Sequence, residues 1–451
     1  MSQTIVALAT PYGRSGIGEI RLSGVNSLEI LQKLTLNQKF SPPPRYSTLR
    51  KIYDFQTKEL IDQALVTYFK SPHSFTGEDV IEISCHGSPV LLRQIIDLCL
   101  KLDARLAEPG EFSLRSLANG RMNLSQAEAI RDLIGAQTLA SARQAIRQLR
   151  GELSSRLQSL KDDLLNVIVI LESSLEFTED DLPEFQSDKL KQKLHEIIFE
   201  LDKMSSTFRA GKLLREGLKV VIVGRPNVGK SSLFNSLIGQ ERAIVTEIAG
   251  TTRDSLFETV SIKGIPISLI DTAGLRETAD RVESIGVDRT KKIIADADLV
   301  VVVLDNSTLF AEEDKQVLDN IRNISCLIAI NKVDLSDAKL VIPNIYADLN
   351  KIEISAKEGV GLDELQNAII KPFLPNDFND SNFLISDARH FDLLNRAKSE
   401  IESSLNLIGK ASEEIVLIGL HNAIRLVGEI TGETTTEDML TRIFSTFCVG
   451  K

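Results

Sequence analysis

The spacing of apolar residues changes along the chain and divides it into segments of different secondary structure. In residues 1–120, short alternating runs at 61–69 and 80–84 are separated by turn residues, which predicts an α+β domain. From about residue 121 the apolar residues recur at steps of three, four or seven, the spacing of one helix face. Two such stripes consist of Leu149, Leu153, Leu157, Leu160, Leu164 and Leu171, and of Leu190, Leu194, Ile197, Leu201, Met204 and Phe208.

Strands and helices alternate between residues 218 and 372. Short apolar runs occur at residues 219–223, 267–270, 299–304, 327–330 and 352–354. This alternation predicts a parallel sheet with helices on both faces. Helical stripes resume afterwards, so the simplest arrangement packs residues 121–217 against residues 373–451 as one α-helical domain. The α/β domain of residues 218–372 is then an insertion in that helical domain.

Composition and charge narrow the class of protein. The 451 residues are 43% hydrophobic and 25% charged, as in ordinary globular proteins of two to four domains. A net charge of −11 argues against a protein that binds nucleic acid over a wide surface without sequence preference. A local basic patch that binds one folded RNA is still compatible with it. The four cysteines are too scattered for a zinc site or a disulfide framework, and no run approaches the ~20 apolar residues that span a bilayer. We therefore expect a cytoplasmic protein without a targeting segment or membrane contact.

A glycine-rich motif at residues 224–231 fits the pattern G-x-x-x-x-G-K-[ST] between a predicted strand and a predicted helix. Backbone amides of such a loop bind phosphates, Lys230 supplies charge to the β- and γ-phosphates, and Ser231 offers a hydroxyl to Mg²⁺. A chance glycine-rich turn is the alternative interpretation. The predicted phosphate contacts are Asn227, Val228, Gly229, Lys230, Ser231 and Ser232.

Three further motifs follow in the order that a guanine-nucleotide site requires. In Asp271-Thr272-Ala273-Gly274 the aspartate can hold Mg²⁺ through water and the glycine amide can meet the γ-phosphate. Asn331-Lys332-Val333-Asp334 ends in a carboxylate that accepts from two guanine donors that adenine lacks. Ser355-Ala356-Lys357 can back the base. Because each motif follows a strand, all lie where open parallel sheets bind ligands, and we predict a GTP hydrolase.

Two details concern hydrolysis. Thr252 supplies a second hydroxyl for Mg²⁺ from a switch segment. Leu275 stands where Ras-type enzymes place a water-positioning glutamine, so another group must position the water. Acidic residues follow at Glu277, Asp280 and Glu283, and composition alone favours solvated surface charges at all three.

Residues along the whole chain, beyond the GTPase motifs, resemble one bacterial family. They are Thr10-Pro11-Tyr12-Gly13-Arg14-Ser15-Gly16, Ser74-Phe75-Thr76-Gly77-Glu78-Asp79, Cys85-His86-Gly87, Pro109-Gly110-Glu111-Phe112 and Cys448-Val449-Gly450-Lys451. Together they resemble the tRNA-modifying GTPases called MnmE or TrmE. The resemblance implies an N-terminal α+β tetrahydrofolate-binding and dimerisation domain, a discontinuous helical domain and an inserted P-loop GTPase domain.

The resemblance also implies a reaction and partners. Members of the family form homodimers and act with MnmG, which uses FAD and NADH. Together they add an aminomethyl or carboxymethylaminomethyl group to C5 of the wobble uridine of certain tRNAs. The one-carbon unit comes from a methylene-tetrahydrofolate, and glycine or ammonium supplies the nitrogen.

For hydrolysis, the resemblance implies a K⁺ ion beside the phosphates, where its charge offsets transition-state charge as an arginine finger does. The matching K⁺ ligands are Asn227, Thr246, Ile248 and Thr251. Thr246, Thr251 and Thr252 are also predicted GTP contacts, and Glu283 matches the glutamate that orients the attacking water.

The folate positions of the family match Arg21, Glu82, Arg121 and Lys451. Pairing of a carboxylate with the pterin and of cations with the glutamate tail is chemically sensible. From the residues alone, the two arginines are surface charges and the glutamate is an ordinary strand residue. Cys448 has two interpretations, a small buried apolar residue or, by the resemblance, a chemically active group near folate.

Two functions are open at this point. The first is a K⁺-activated GTPase subunit of a tRNA wobble-uridine modification enzyme. The alternative is a regulatory GTPase of the ribosome-assembly type, whose output is binding alone. The folate-like N-terminal domain and the terminal Cys448-Val449-Gly450-Lys451 favour the modification enzyme, because a simple switch protein does not need them.

Overall fold

The computed structural model describes residues 3–176, 184–240, 257–271, 293–321, 324–374, 383–433 and 436–450. The chain divides into two compact units. The N-terminal unit combines Met1–Arg131, Gln148–Lys161 and Arg425–Lys451, and the central unit combines Asp132–Arg147 and Asp162–Ile424. Each unit is therefore built from segments that are distant in sequence.

A six-stranded, mostly antiparallel sheet forms the centre of the N-terminal unit. Its strands are β1 (Ile5–Leu8), β2 (Ile17–Ser23), β3 (Thr48–Tyr53), β4 (Leu60–Phe69), β5 (Val80–His86) and β6 (Arg105–Leu106). They lie in the order β3-β4-β5-β2-β1-β6, and only β1 and β6 pair in parallel. Alternate side chains of β4, such as Val66 and Tyr68, are buried, because successive residues of a strand point to opposite faces.

A second sheet, of the predicted parallel type, lies in the central unit. Its strands are β7 (Leu218–Val223), β8 (Phe257–Ile262), β9 (Ile265–Asp271), β10 (Leu299–Asp305), β11 (Cys326–Asn331) and β12 (Asn350–Glu353), in the order β12-β11-β10-β7-β9-β8. The sequence prediction missed β8, which pairs antiparallel with β9. Lys263 and Gly264 join the two strands with φ of 50° and 83°, as a tight hairpin turn requires.

Helices complete both units. They are α1 (Ser27–Leu34), α2 (Pro89–Lys101), α3 (Glu111–Ala118), α4 (Leu124–Gly135), α5 (Leu139–Leu149), α6 (Glu152–Glu176), α7 (Glu184–Ser206), α8 (Phe208–Glu216), α9 (Lys230–Gln240), α10 (Glu312–Asn320), α11 (Leu362–Ile370), α12 (Ala388–Leu407), α13 (Glu413–Thr431) and α14 (Glu437–Phe444). Within the described ranges, no helix combines the length and apolarity needed to cross a bilayer.

The parallel strands are buried on both faces. Alternate residues of β10 enter different cores: Val301 packs with Leu233 and Leu365 of α9 and α11, whereas Val302 packs with Leu318 of α10. Continuous apolar strands such as β10 arise because each face of a parallel sheet is covered by helices. The described helices therefore lie on both faces, as the sequence predicts.

Ser125 and Glu128 have the spacing of a capping box, but Ser125 lies inside α4, after its first residue. The Asn123 side-chain oxygen instead accepts from the Gln126 amide at 2.9 Å, and the Gln126 side chain accepts from the Asn123 amide at 3.0 Å. Ser125 donates its hydroxyl to the Asn123 side chain at 2.9 Å. The reciprocal pair of a capping box is present two residues earlier, because the helix begins at Leu124.

A buried arginine ties the loop before β5 to α3 in the N-terminal unit. Arg115 is 1% exposed and donates to Glu78 at 2.9 Å, to Glu111 at 2.9 Å and to the carbonyl of Gln3 at 2.8 Å. Arg105 donates to the second oxygen of Glu111 at 2.7 Å. A buried charge is tolerated when its hydrogen-bonding groups are matched in this way.

The same network predicts a pH dependence of stability. Burial raises the pKa of Glu111, but hydrogen bonds from Arg105, the Glu108 amide and Arg115 outweigh it and hold the pKa below 4.5. Ionised Glu111 therefore adds stability above pH 4.5, and this contribution is lost as the pH falls through the lower pKa of the folded state. We expect Glu111→Gln to reduce the acid dependence of the free energy of unfolding, measured by urea titration between about pH 6 and pH 3.

The matched control is Glu29→Gln, which changes an exposed carboxylate beside Lys33 on α1. Its acid dependence is expected to equal that of the unchanged protein. If the free energy of unfolding of Glu111→Gln fell with pH as steeply as that of the unchanged protein, the role of Glu111 would be contradicted.

The inserted sheet joins the helices of the central unit at two neighbouring chain crossings. The chain leaves α8 at Gly217, whose φ is 74°, and returns through Ser386 to α12. Arg215 donates to Asp387 at 2.7 Å and lies 3.1 Å from Asp132. The last turn of α8 and the first turn of α12 are therefore held side by side.

Candidate nucleotide-binding site

The phosphate loop connects β7 to α9, and its backbone requires glycine at two positions. Gly229 has φ of 97°, and a Cβ there would lie 2.2 Å from the Asn331 side-chain nitrogen. Gly224 has φ of 153°, and a Cβ there would lie 2.5 Å from the Val303 carbonyl oxygen. Only glycine permits both the conformation and the close approach. The chance-turn interpretation is disfavoured by this packing.

The cationic and hydroxyl groups of the loop lie at its carboxyl end. Lys230 is 8% exposed, and its ammonium donates to the Arg225 carbonyl at 2.8 Å across the loop. The Ser231 hydroxyl donates to the Asp271 carboxylate at 3.0 Å. A hydroxyl and a carboxylate at this separation are hard oxygen ligands of the kind that Mg²⁺ prefers. The donor set therefore fits Mg²⁺, and the assignment of Ser231 as its ligand stays a prediction.

The motif after β11 packs directly against the phosphate loop. Asn331 is buried, donates to the Val228 carbonyl at 2.8 Å and accepts from the Ala356 amide at 3.0 Å. Its amide therefore joins the phosphate loop to the segment Ser355-Ala356-Lys357. Lys332 donates to the Asn227 carbonyl at 2.9 Å.

Asp334 is the carboxylate that is predicted to read guanine, and it is exposed at this edge of the sheet. A hydrogen bond from the Ser355 side chain, opposed by slight desolvation, holds the pKa of Asp334 below 3.8. Nearby Lys357 and Lys332 act in the same direction. The carboxylate is therefore ionised at neutral pH and available to accept two hydrogen bonds.

Several predicted residues lie outside the described ranges. They are Thr246, Ile248, Thr251, Thr252, Thr272, Ala273, Gly274, Leu275, Glu283 and Lys451. The predictions for Mg²⁺ at Thr252, for K⁺ at Thr246, Ile248 and Thr251, and for water orientation by Glu283 therefore stay predictions.

The predicted folate residues fall in the N-terminal unit. Arg21 of β2 is paired in register with Glu82 of β5, and their side chains form an ion pair at 2.7 Å. Arg21 also donates to the Gly450 carbonyl at 3.1 Å, so the end of the described chain lies beside this pair. Arg121 is exposed next to Gly77, where a Cβ would lie 3.3 Å from its Cγ.

Cys448 is exposed, so its interpretation as a small buried residue is wrong. The two neighbouring aromatic rings, Phe444 and Phe447, bury the apolar surface of this segment against Leu124 and Ala127. The Cys448 carbonyl accepts from the Gly110 amide at 3.4 Å. The sulfur is thereby left at the surface while the backbone is fixed.

Comparison with known proteins decides the family. The profile of the MnmE helical domain matches residues 124–448, and that of the N-terminus of the GTP-binding protein TrmE matches residues 4–121. The tRNA modification GTPase MnmE of Aquifex aeolicus (strain VF5) is 44% identical over 100% of both chains. The chain belongs to the MnmE family of tRNA modification GTPases. The MnmE of Thermoanaerobacter pseudethanolicus is 42% identical over 99% of both chains.

The MnmE family assignment confirms the predicted resemblance, the predicted fold class and the predicted GTP hydrolase. Among solved structures, Aquifex aeolicus Era bound to GDP.AlF4⁻ is 27% identical over 41% of this chain and 66% of that chain. Its TM-score of 0.27 is too low to support an argument about this fold.

Sequence reasoning missed a carboxylate that contacts one of the motif residues. Asp305 ends β10 and lies 2.6 Å from the Lys332 ammonium. The only signal in the sequence was an aspartate that terminates a fully apolar strand at the same edge as the motifs. That signal does not distinguish a structural carboxylate from a functional one.

Proposed function

We propose that this protein hydrolyses Mg²⁺-bound GTP with the help of K⁺ and couples hydrolysis to modification of a tRNA wobble uridine. The observation that supports the nucleotide part best is the Asn331 side chain. It bonds both the phosphate loop, at Val228, and the predicted base-binding segment, at Ala356. This contact holds the phosphate loop beside the segment that is predicted to back the guanine base.

The residues divide the work of binding and charge stabilisation. Lys230 would neutralise the β- and γ-phosphates, and Asp334 would accept from guanine. Ser231 and Thr252 would hold Mg²⁺ with their hydroxyls, and Asp271 would hold it through water. When bound, Mg²⁺ neutralises charge on the β- and γ-phosphate oxygens.

Acceleration of hydrolysis is assigned to groups that replace the water-positioning glutamine of Ras-type enzymes, which is Leu275 in this chain. Leu275 cannot form a hydrogen bond to water, and on the strength of the family resemblance we assign water orientation to Glu283. Asn227, Thr246, Ile248 and Thr251 would supply oxygen ligands to K⁺ beside the phosphates.

For the modification, we propose that a tetrahydrofolate derivative binds at Arg21, Glu82, Arg121 and Lys451. The ion pair of Arg21 and Glu82 supports this assignment, because it offers a cation and a carboxylate within one site. The reaction adds an aminomethyl or carboxymethylaminomethyl group to uridine C5. It requires MnmG, with its FAD and NADH, and a homodimer of this chain. Cys448 is a candidate for a chemical step because it is exposed near Gly450.

Two measurements test the proposal. Nucleoside analysis of tRNA from cells that lack this protein should show loss of the modified wobble uridine. Exchange of K⁺ for Na⁺ should depress GTP hydrolysis by at least about 10-fold, because the ion offsets transition-state charge. Normal tRNA modification in the deletion strain would refute the modification role, and equal rates in KCl and NaCl would refute the K⁺ assignment.

A regulatory GTPase without modification chemistry is separated from this proposal by folate binding. Titration with 5-formyl-tetrahydrofolate should give saturable binding to the protein and none to Glu82→Gln. Absence of saturable binding to the unchanged protein would favour the regulatory function.

A further inference from the structure

The Asp305 carboxylate lies between the two halves of the nucleotide site. It is 6% exposed and ends β10, where it is paired in register with Asn331 of β11. Its Oδ2 accepts from the Lys332 ammonium at 2.6 Å, and the same ammonium donates to the Asn227 carbonyl at 2.9 Å. One lysine therefore connects a buried carboxylate to the phosphate loop.

The other oxygen of Asp305 is held within its own turn. Oδ1 accepts from the Ser307 amide at 2.9 Å and from the Ser307 hydroxyl at 2.6 Å. Burial raises the pKa of Asp305, but the bonds from Lys332 and Ser307 outweigh it and keep the pKa below 3.8. The carboxylate is therefore ionised and cannot rotate freely. Its remaining oxygen is aimed at Lys332.

The same turn contacts the phosphate loop a second time. The Thr308 hydroxyl accepts from the Arg225 guanidinium, and the Arg225 carbonyl accepts from Lys230. Residues 305–308 therefore reach the phosphate loop twice, once through Lys332 and once directly from Thr308. A solvated lysine would gain little from this geometry, whereas a lysine fixed at both ends sets the distance between two loops.

We infer that Asp305 is a positioning residue for GTP, which acts by holding the Lys332 ammonium against the Asn227 carbonyl. The inference rests on the proposed GTP site. Asp305 itself is assigned no contact with GTP. It fixes the phosphate loop relative to Asp334, so that the phosphates and the guanine base of one GTP molecule are contacted together. Preorganisation of this kind raises the affinity for GTP, because the two loops lose less conformational entropy when GTP binds.

A double-mutant cycle tests the inference, with GTP affinity measured by titration of a fluorescent GTP analogue. Asp305→Asn is expected to weaken binding about 10-fold, the loss typical of one charge-assisted hydrogen bond. Lys332→Met is expected to weaken it at least as much. Because Asp305 acts through Lys332, the double variant should bind within about twofold of Lys332→Met alone.

Controls separate positioning from folding. Asp298→Asn alters an exposed carboxylate at the other end of β10, where it accepts from the Lys219 amide at 2.8 Å, and should leave affinity unchanged. The turnover rate of Asp305→Asn at saturating GTP should stay within about twofold, since positioning affects binding more than chemistry. If Asp305→Asn fails to fold, Ser307→Ala replaces it in the cycle with a smaller expected loss of about threefold.

The outcomes are distinct. Losses that add fully in the double variant would overturn the inference, because Asp305 would then act independently of Lys332. Failure of the unchanged protein to bind GTP would instead overturn the proposed GTP site itself.

Discussion

Lys230→Met is expected to lower the rate of GTP hydrolysis by at least about 100-fold and to weaken binding of GTP and GDP. Lys230 is buried, and its ammonium lies inside the phosphate loop, on the Arg225 carbonyl. Methionine has a similar length but no charge, so the loop can still form while the phosphates lose their cation. Single-turnover hydrolysis and calorimetric titration with GDP measure the two effects.

The control for this variant is Lys219→Met on the same strand–loop segment. The Lys219 side chain is exposed near the start of β7, and the residue lies at the opposite end of the strand from the phosphate loop. Hydrolysis is expected to be unchanged. A Lys230→Met protein that hydrolyses GTP within about threefold of the unchanged rate would refute the assignment of this loop to phosphate binding.

Arg115→Met is expected to destabilise the N-terminal unit by about 3–5 kcal/mol. The substitution removes the guanidinium that pairs with Glu78 and Glu111 and leaves the carbonyl of Gln3 without its donor. Glu111 keeps Arg105, so the larger cost comes from Glu78. Hydrogen exchange of amides in α3 and β5 measures the loss within this unit.

Hydrogen exchange of individual amides is preferred to global unfolding here, because proteins of several domains seldom unfold in one step. Arg93→Met is the matched control, since its side chain is 80% exposed and lies 4.0 Å from Asp97 on α2. An exposed ion pair of this kind contributes at most about 1 kcal/mol. A loss equal to that of this control would show that the buried network around Arg115 adds no net stability.

The features that sequence predicts well have local causes. The strand β10 is an unbroken apolar run, so burial on both faces follows from the residues themselves. The phosphate loop is predicted because glycine, lysine and serine at fixed spacing have one common use. Arg21 and Glu82 were assigned only through the family resemblance, and their pairing depends on the register of β2 and β5.

The features that sequence missed depend on partners distant in the chain. Nothing in the residues around Asp305 indicates that Lys332 lies within 2.6 Å, because the contact exists only once β10 and β11 pair. From sequence alone Arg115 resembles an ordinary surface charge, because Glu78, its partner from the loop before β5, is 37 positions away in the chain. The hairpin at Gly264 is an exception, because its signal is local: Lys263 and Gly264 separate the apolar alternation of Val260 and Ile262 from the next strand, and the sequence prediction missed it.

The paired chain crossings at Gly217 and Ser386 restrict how the inserted sheet can move against the helices of its own unit. Arg215 and Asp387 join the two crossings at 2.7 Å, and Thr138, just before α5, donates to the Gly264 carbonyl at 2.7 Å. The phosphate loop lies at the far end of the six residues of β7, which span roughly 20 Å. The sheet and the helices of its unit also share one apolar core, which includes Leu214 and Leu218, so a displacement of the whole sheet would have to break these contacts as well.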